Sequence, residues 1–364
     1  MSKIFETMEK FGFEQVIFFY DKSTGLKGIT SIHNTTLGPS LGGTRMWKYN
    51  SEDEALVDSM RLARGMAMKN AAAGLNLGGA KTVIWGDAKK DKSEAYFRAL
   101  GRYVETLNGR YITAEDVNTT LKDMHYINME TDHVVGLEGK SGNPSPVTAW
   151  GVFRGIQACL KEKFGHDEVA GHTFAIQGVG AVGYALLEFL VKHGAKKIYY
   201  TDINPTNIDR VKRNHPQAQF VDGKKYWSLN VDVLAPCALG AILNPTTIKL
   251  IKAPIVAGSA NNQLAEDGRD GDDLMKRKII YAPDFVINGG GVINVYHELL
   301  GYDYNAAIRD VDLIYDRMLE IFKIAKTRKI NNQKAANFYA EKRIKEIGEI
   351  HKTFVPTKEA KYWK

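Results

Sequence analysis

Two lysines and an aspartate carry the first chemical suggestion in this sequence. Lys69 falls near the end of a helical stretch, and Lys81 opens an apolar run behind Gly74, Gly78 and Gly79. Two ammonium groups brought close repel each other, so the less solvated one gives up its proton nearer neutrality. A lysine in that state serves as a base. Asp116, in the string TAEDVN (113–118), supplies a proton carrier and a counter-charge for an amine. Taken singly, each of the three reads first as a solvated surface charge, so the chemical reading depends on their being brought together.

Other chemistries find less support. Gly74 and Gly79 frame four residues as a phosphate-binding P-loop would, yet Ala80 stands where its lysine belongs and a strand follows instead of a helix. The nine histidines include no HxxxH pair and no HExxH, so no metal site is expected. A GxSxG elbow is also absent. Proton transfer by lysine and aspartate, with hydride transfer left to a cofactor, is the economical account.

The cofactor signal is Gly178-Val179-Gly180-Ala181-Val182-Gly183, which follows the apolar run TFAIQ and opens an apolar helix. Gly178 permits a tight turn, Gly180 admits a pyrophosphate near the backbone, and Gly183 lets helix and strand approach. The pyrophosphate belongs at the helix N-terminus, where unpaired amides favour negative charge. Asp202, 24 residues after Gly178, ends the next strand and can accept hydrogen bonds from both adenine-ribose hydroxyls. No lysine or arginine occurs in 203–207 to neutralise a 2′-phosphate, and Arg210 is expected a turn into the next helix. NAD is the cofactor this pattern predicts.

These residues need elements to position them. Gln15–Tyr20 and Lys27–His33 read as neighbouring strands, and Asp53 to Ala73 as a long helix ending near Gly74. Thr82–Trp85 returns to strand, Glu94–Leu107 to helix, and Arg110–Thr113 to strand. The stretch GLEGKSGNPSPV (136–147) has the composition of a linker. Beyond a helix at Thr148–Phe164, strands are predicted at Thr173–Gln177, Lys197–Thr201, Ala218–Val221, Val231–Ala235, Pro254–Ala257, Ile279–Tyr281 and Phe285–Ile287. Their alternation with helices implies a parallel sheet. Asn305–Lys326 and Gln333–Ile350 read as long amphipathic helices. The fold class is therefore α/β: an N-terminal α/β catalytic domain over 1–135, to which a C-terminal helix (330–364) returns, and a Rossmann-type dinucleotide-binding domain over 145–329, with a cleft between them.

Composition narrows the partners. The 364 residues exceed one ordinary core, and 44% hydrophobic with 25% charged residues describes a globular chain. The net charge of +7 raises nucleic acid as a partner, but 42 acids lie among 49 bases and the basic runs are short, so none is expected. A non-catalytic Rossmann regulator or nucleic-acid binder is the rival from another class; it would lack an organised lysine pair. Two cysteines, Cys159 and Cys237, without metal spacing fit a reducing cytoplasm. No stretch reaches the roughly 18 apolar residues that span a bilayer.

At this point the strings TTLGPSLGGTRMW, RGMAMKNAAAGLNLGGAKTV, NGRYITAEDVNTT, SGNPSPVTAWGV, DVLAPCALGAILN, AGSANNQL and YAPDFVINGGGVINV resemble the glutamate/leucine/phenylalanine/valine dehydrogenase family over nearly the whole chain, nearest its leucine branch. The resemblance implies oxidative deamination of an amino acid to a 2-oxo acid, and the reverse reaction, in a homo-octamer. It implies Lys81 as the catalytic lysine, Lys69 as carboxylate binder, and Asp116 as proton carrier at the amino group. Gly42 and Gly43 would line the substrate site, Asn262 and Asn288 would sit near nicotinamide and carboxylate, and Asn204 beside Asp202 near the ribose. Leu41, Ala114, Val292 and Val295 would form an apolar side-chain pocket that suits leucine, valine and isoleucine; a phenylalanine-, valine- or tryptophan-specific member of the same family is the alternative. The family's GGGK is GGAK here, with Ala80, its tyrosine before the first lysine is Met68, and Gly183 stands where alanine is frequent.

Overall fold

A computed structural model describes residues 4–350. The chain divides into two compact units, neither continuous in sequence. The first takes the residues up to Gly142, Val295–Tyr302 and the chain from Ala340 onward; the second takes Asn143–Asn294 and Asp303–Tyr339.

In the first unit the chain runs through helix α1 (Ile4–Phe11) and strands β1 (Gln15–Tyr20), β2 (Lys27–Asn34), β3 (Ser40–Leu41) and β4 (Thr44–Trp47). It continues through helix α2 (Glu52–Ala72), strand β5 (Gly78–Trp85), helix α3 (Glu94–Glu105), strand β6 (Tyr111–Ile112) and helix α4 (Leu121–Asn128). The sheet has the order β1-β2-β5-β3-β6, and β4 shares β5's edge with β3. β3 pairs with Gly78 and Gly79, and β4 with Thr82 to Trp85. Gly42 and Gly43 therefore bridge the gap opposite Ala80 and Lys81.

Glycine is required at this gap. A Cβ on Gly42 would lie 1.7 Å from the Ala80 carbonyl oxygen, and one on Gly43 would lie 2.9 Å from the Asp116 Cβ. α2 starts where the Ser51 hydroxyl accepts from the Glu54 amide, with three acids in its first turn facing the positive end of the dipole. It buries Ala55, Leu56, Met60, Ala63 and Ala67 against the sheet, and a Cβ on Gly79 would meet the Ala67 amide nitrogen at 2.0 Å. On the other face Ala80 joins Tyr111, Met124, Ile127 and Phe97 in a core cluster, which is why a methyl fits where glycine is usual.

The second unit opens with helix α5 (Ser145–Phe164), strand β7 (Thr173–Gln177), helix α6 (Ala181–Lys192), strand β8 (Lys197–Thr201), helix α7 (Pro205–Asn214), strand β9 (Gln219–Phe220) and helix α8 (Gly223–Tyr226). It goes on through strand β10 (Val233–Pro236), helix α9 (Pro245–Ile248), strand β11 (Ile255–Val256), helix α10 (Asp267–Lys276) and strand β12 (Ile280–Tyr281). Helices α11 (Asp284–Ile287), α12 (Gly290–Tyr296), α13 (Tyr304–Asp312), α14 (Ile314–Arg328) and α15 (Asn332–Ile350) complete the order. The sheet order β12-β11-β10-β7-β8-β9 is parallel throughout. This is the doubly wound arrangement, whose order reverses between β7 and β10. No described helix is long and apolar enough to cross a membrane.

Two expectations need correction. Phe285–Ile287 is a helical turn, not a strand: Pro283 precedes it, the Asn288 amide closes on the Asp284 carbonyl at 2.9 Å, and the Asp284 carboxylate accepts from the Gln263 amide and the Tyr281 hydroxyl. The span Asn305–Lys326 is not one helix but α13 and α14, broken at Leu313. The end of α15 packs in the first unit, where Arg343 donates to the carbonyls of Leu75 and Gly74 and to Asn76 Oδ1. Residues 351–364 of the expected returning helix lie outside the described residues.

Candidate active site

Strand alternation places Lys81 on the face of β5 that α2 covers, together with Gly79. Ser59 of α2 donates to the Lys81 carbonyl at 3.0 Å and fixes the strand there. The side chain is 5% exposed, and its Nζ lies 2.9 Å from Asp116 Oδ2. Asp116 follows β6; its amide donates to the Thr119 hydroxyl, which in turn donates to the Thr44 carbonyl, so the loop is pinned to β4. Arg45 of β4 brings its Nε to the same Asp116 oxygen at 2.9 Å. Its Nη1 reaches Asp58 Oδ2 at 3.1 Å, and that oxygen also accepts from the Tyr49 hydroxyl at 2.8 Å.

These contacts decide the charges. Burial pushes the Lys81 ammonium below the usual lysine range; Asp116 opposes the shift, and the Arg45 charge adds to it. Arg45 is thus a cation set beside the pair that lowers the basicity of Lys81. Burial works to raise the Asp116 carboxyl, but Lys81 and Arg45 outweigh it and hold the group down at about 2. A buried amine of lowered basicity bonded to a persistent carboxylate is suited to moving protons at a substrate. Arg45, Asp58 and Tyr49 were not picked out in the sequence, although Arg45 lies within the string LGGTRMW. A cavity of about 700 Å³ opens beside them, lined by Arg45, Trp47, Tyr49, Asp58 and Arg61 but by neither lysine.

In the second unit the glycine loop joins β7 to α6. Gly178 has φ +85°, which only glycine adopts readily, and a Cβ on Gly183 would meet the Gly178 carbonyl oxygen at 2.0 Å. Gly180 has open space around it and caps α6 with no side-chain bond, which leaves room for a pyrophosphate and amides to receive it. Asp202 accepts from the Val179 amide at 2.8 Å, the Asn204 amide at 2.8 Å and the Asn207 side chain at 3.2 Å. With about four acceptor positions on a carboxylate, one is left for a ribose hydroxyl. The buried Asn288 donates to the Ser259 carbonyl and to Asn261 Oδ1, while its own Oδ1 finds no partner among the described residues. A buried amide oxygen in that position calls for an external donor such as a carboxamide. The loop, the α6 N-terminus and the donor set fit a nicotinamide dinucleotide.

With both sites described, the comparisons with known proteins decide the family. A model of the Glu/Leu/Phe/Val dehydrogenase dimerisation domain matches residues 13–133, and a model of the Glutamate/Leucine/Phenylalanine/Valine dehydrogenase domain matches 203–349. The chain belongs to this family. Leucine dehydrogenase from Thermoactinomyces intermedius is 55% identical over 97% of this chain and 96% of that protein. Leucine dehydrogenase from Bacillus subtilis (strain 168) is 51% identical, with 97% of each covered. The crystal structure of L-tryptophan dehydrogenase from Nostoc punctiforme superposes with a TM-score of 0.84 at 42% identity, covering 94% of this chain and 99% of that one. The protein is accordingly an amino-acid dehydrogenase.

The dehydrogenase fold places the other expected residues less uniformly. Lys69 lies in the last turn of α2, half-buried, beside the buried Asn70, which donates to the Gly78 carbonyl at 2.5 Å. The Gly42 amide and carbonyl are engaged by the Ile112 carbonyl and the Tyr111 hydroxyl. Gly42 and Gly43 thus let β3 and β4 close on Lys81 and Asp116. Leu41 and Ala114 belong to the first unit; Val292 and Val295, both 8% exposed, lie on α12, which spans a boundary between the units. Asn204 uses its side chain to cap α7 and its amide to hold Asp202. Asn262 adopts φ +52°, and its carbonyl accepts from the Ala241 amide.

Proposed function

We propose that this protein catalyses NAD-dependent oxidative deamination of L-leucine and related branched-chain amino acids to 2-oxo acids with release of ammonia, and the reverse reductive amination. The observation that carries the reading is the buried Lys81 amine at 2.9 Å from the Asp116 carboxylate. When bound, the dinucleotide supplies the hydride acceptor. Lys69 holds the substrate carboxylate as a point charge. Lys81, short of its proton, draws one from a water as that water attacks the imine carbon. Asp116, ionised at rest, takes that proton over from Lys81 and passes it to the departing nitrogen.

The residues that the family resemblance assigns to side-chain recognition, Leu41, Ala114, Val292 and Val295, carry no charge, which suits branched aliphatic substrates, and identity to the leucine dehydrogenases (55% and 51%) exceeds that to the tryptophan enzyme (42%). NAD is preferred over NADP because Asp202 directly follows β8 and no base occurs in 203–207. The reading extends to a homo-octamer in the cytoplasm, as the family resemblance implies. Initial rates of NADH formation with leucine, valine, phenylalanine, tryptophan and glutamate test it. Leucine is expected to give the highest kcat/KM. A higher value for phenylalanine or tryptophan would move the substrate assignment, and no NADH from any amino acid would end it.

A further inference from the structure

Asp116 meets two cations through one oxygen. Lys81 Nζ and Arg45 Nε both lie 2.9 Å from its Oδ2. Arg45 is anchored at its other end by Asp58, whose two oxygens also accept from Tyr49 and Arg61. This arrangement fixes which protonation states are affordable. With Arg45 in place, a neutral Lys81 leaves Asp116 still paired, whereas a protonated Lys81 leaves the trio with a net positive charge. Without Arg45 the preference reverses: the ammonium balances the carboxylate, and a neutral amine would strand a largely buried charge.

We propose that Arg45 is a positioning residue that frees Lys81 for catalysis, by holding the Asp116 carboxylate so that the amine can release its proton without leaving a charge unpaired. The inference rests on the reading of Lys81 as the catalytic base. The charged and titratable groups that act on the pair are Arg45 from β4, Tyr49 after it, Asp58 from α2, Tyr111 from β6 and Glu115 beside Asp116, with Arg61 bonded to Asp58 behind them. Of these, Arg45 bonds Asp116 directly, and Asp58 acts on Lys81 in the opposite sense, favouring the ammonium. Opposite signs give a test that a merely structural role would not pass.

The measurement is kcat for deamination of leucine against pH, at saturating leucine and NAD, for wild type, Arg45→Met, Arg45→Lys, Asp58→Asn and Lys81→Ala. The acid limb should move up by about one pH unit in Arg45→Met, a roughly tenfold loss below the limb that recovers at high pH. Arg45→Lys should keep the limb near its wild-type position, because the charge survives although the fork does not. Asp58→Asn should move it down by a smaller amount. A loss in Arg45→Met that is the same at every pH, or a limb that does not move, overturns the proposal. Should Arg45→Met fail to fold, by circular dichroism and NADH binding, Asp58→Asn decides alone, and an upward shift or none overturns it. If Lys81→Ala keeps its activity, the catalytic reading itself has failed, a result distinct from an unmoved limb in an enzyme that Lys81→Ala disables.

Discussion

Asp116 keeps its charge because two cations outweigh its burial, and this has a consequence for stability. Its carboxyl titrates at about 2, below the ordinary 3.8, so the folded form binds the proton less readily than the unfolded chain. The difference contributes on the order of 2 kcal/mol above pH 3.8, which is lost as pH falls through about 2. Urea unfolding of wild type and Asp116→Asn from pH 6 to pH 2 should show the gap between them narrowing below about pH 4; a constant gap would show that the pairing has no such linkage. Lys81 and Asp116 were legible in the sequence because each stands in a distinctive string. Their supports were not, since Arg45 meets Asp116 across 71 positions and Asp58 across 13, on elements whose approach no local spacing encodes.

At the scale of elements, the contact of α2 with β5 sets the distance from the helix to the lysine-bearing strand. Gly79→Ala would place a methyl 2.0 Å from the Ala67 amide, whereas a methyl at Gly65, in the same helix, meets nothing within 4 Å. Overpacking costs about 1–3 kcal/mol, and replacing an exposed helical glycine by alanine gains about 0.5–1 kcal/mol. Denaturant midpoints should therefore fall in Gly79→Ala and rise in Gly65→Ala; equal effects would contradict the close packing. Long periodic elements such as α2, β7 and β8 could be read from hydrophobic spacing. β3 and β4, of two and four residues, are too short to carry a period, and Phe285–Ile287 misled because a brief apolar run fits a strand or a buried helical turn equally well.

For the molecule as a whole, the residues proposed for cofactor choice (Asp202) and for catalysis (Lys81, Asp116) lie in separate units, so each function should fail independently. Asp202→Ala removes a like charge from the site of a 2′-phosphate, and Ile203, 99% exposed, can become arginine without a clash. The same substitution loosens the Val179 amide for either cofactor, so the informative quantity is the ratio of kcat/KM for NAD and NADP. That ratio should move toward NADP in Asp202→Ala and further in Asp202→Ala with Ile203→Arg. A wild type that prefers NADP, or a ratio that does not move, would remove Asp202 from ribose recognition. The glycine loop and Asp202 were legible because their spacing reports local backbone geometry. The division into units was less so, because Val295–Tyr302 and the end of α15 return to the first unit through contacts far apart in sequence, such as Arg343 with Leu75. The most direct test of the account is kcat for leucine deamination in Lys81→Ala, measured beside NADH binding by fluorescence. The account predicts a loss of about 10²–10⁴-fold in kcat with NADH binding nearly unchanged, and a variant keeping more than about a tenth of wild-type kcat would contradict it.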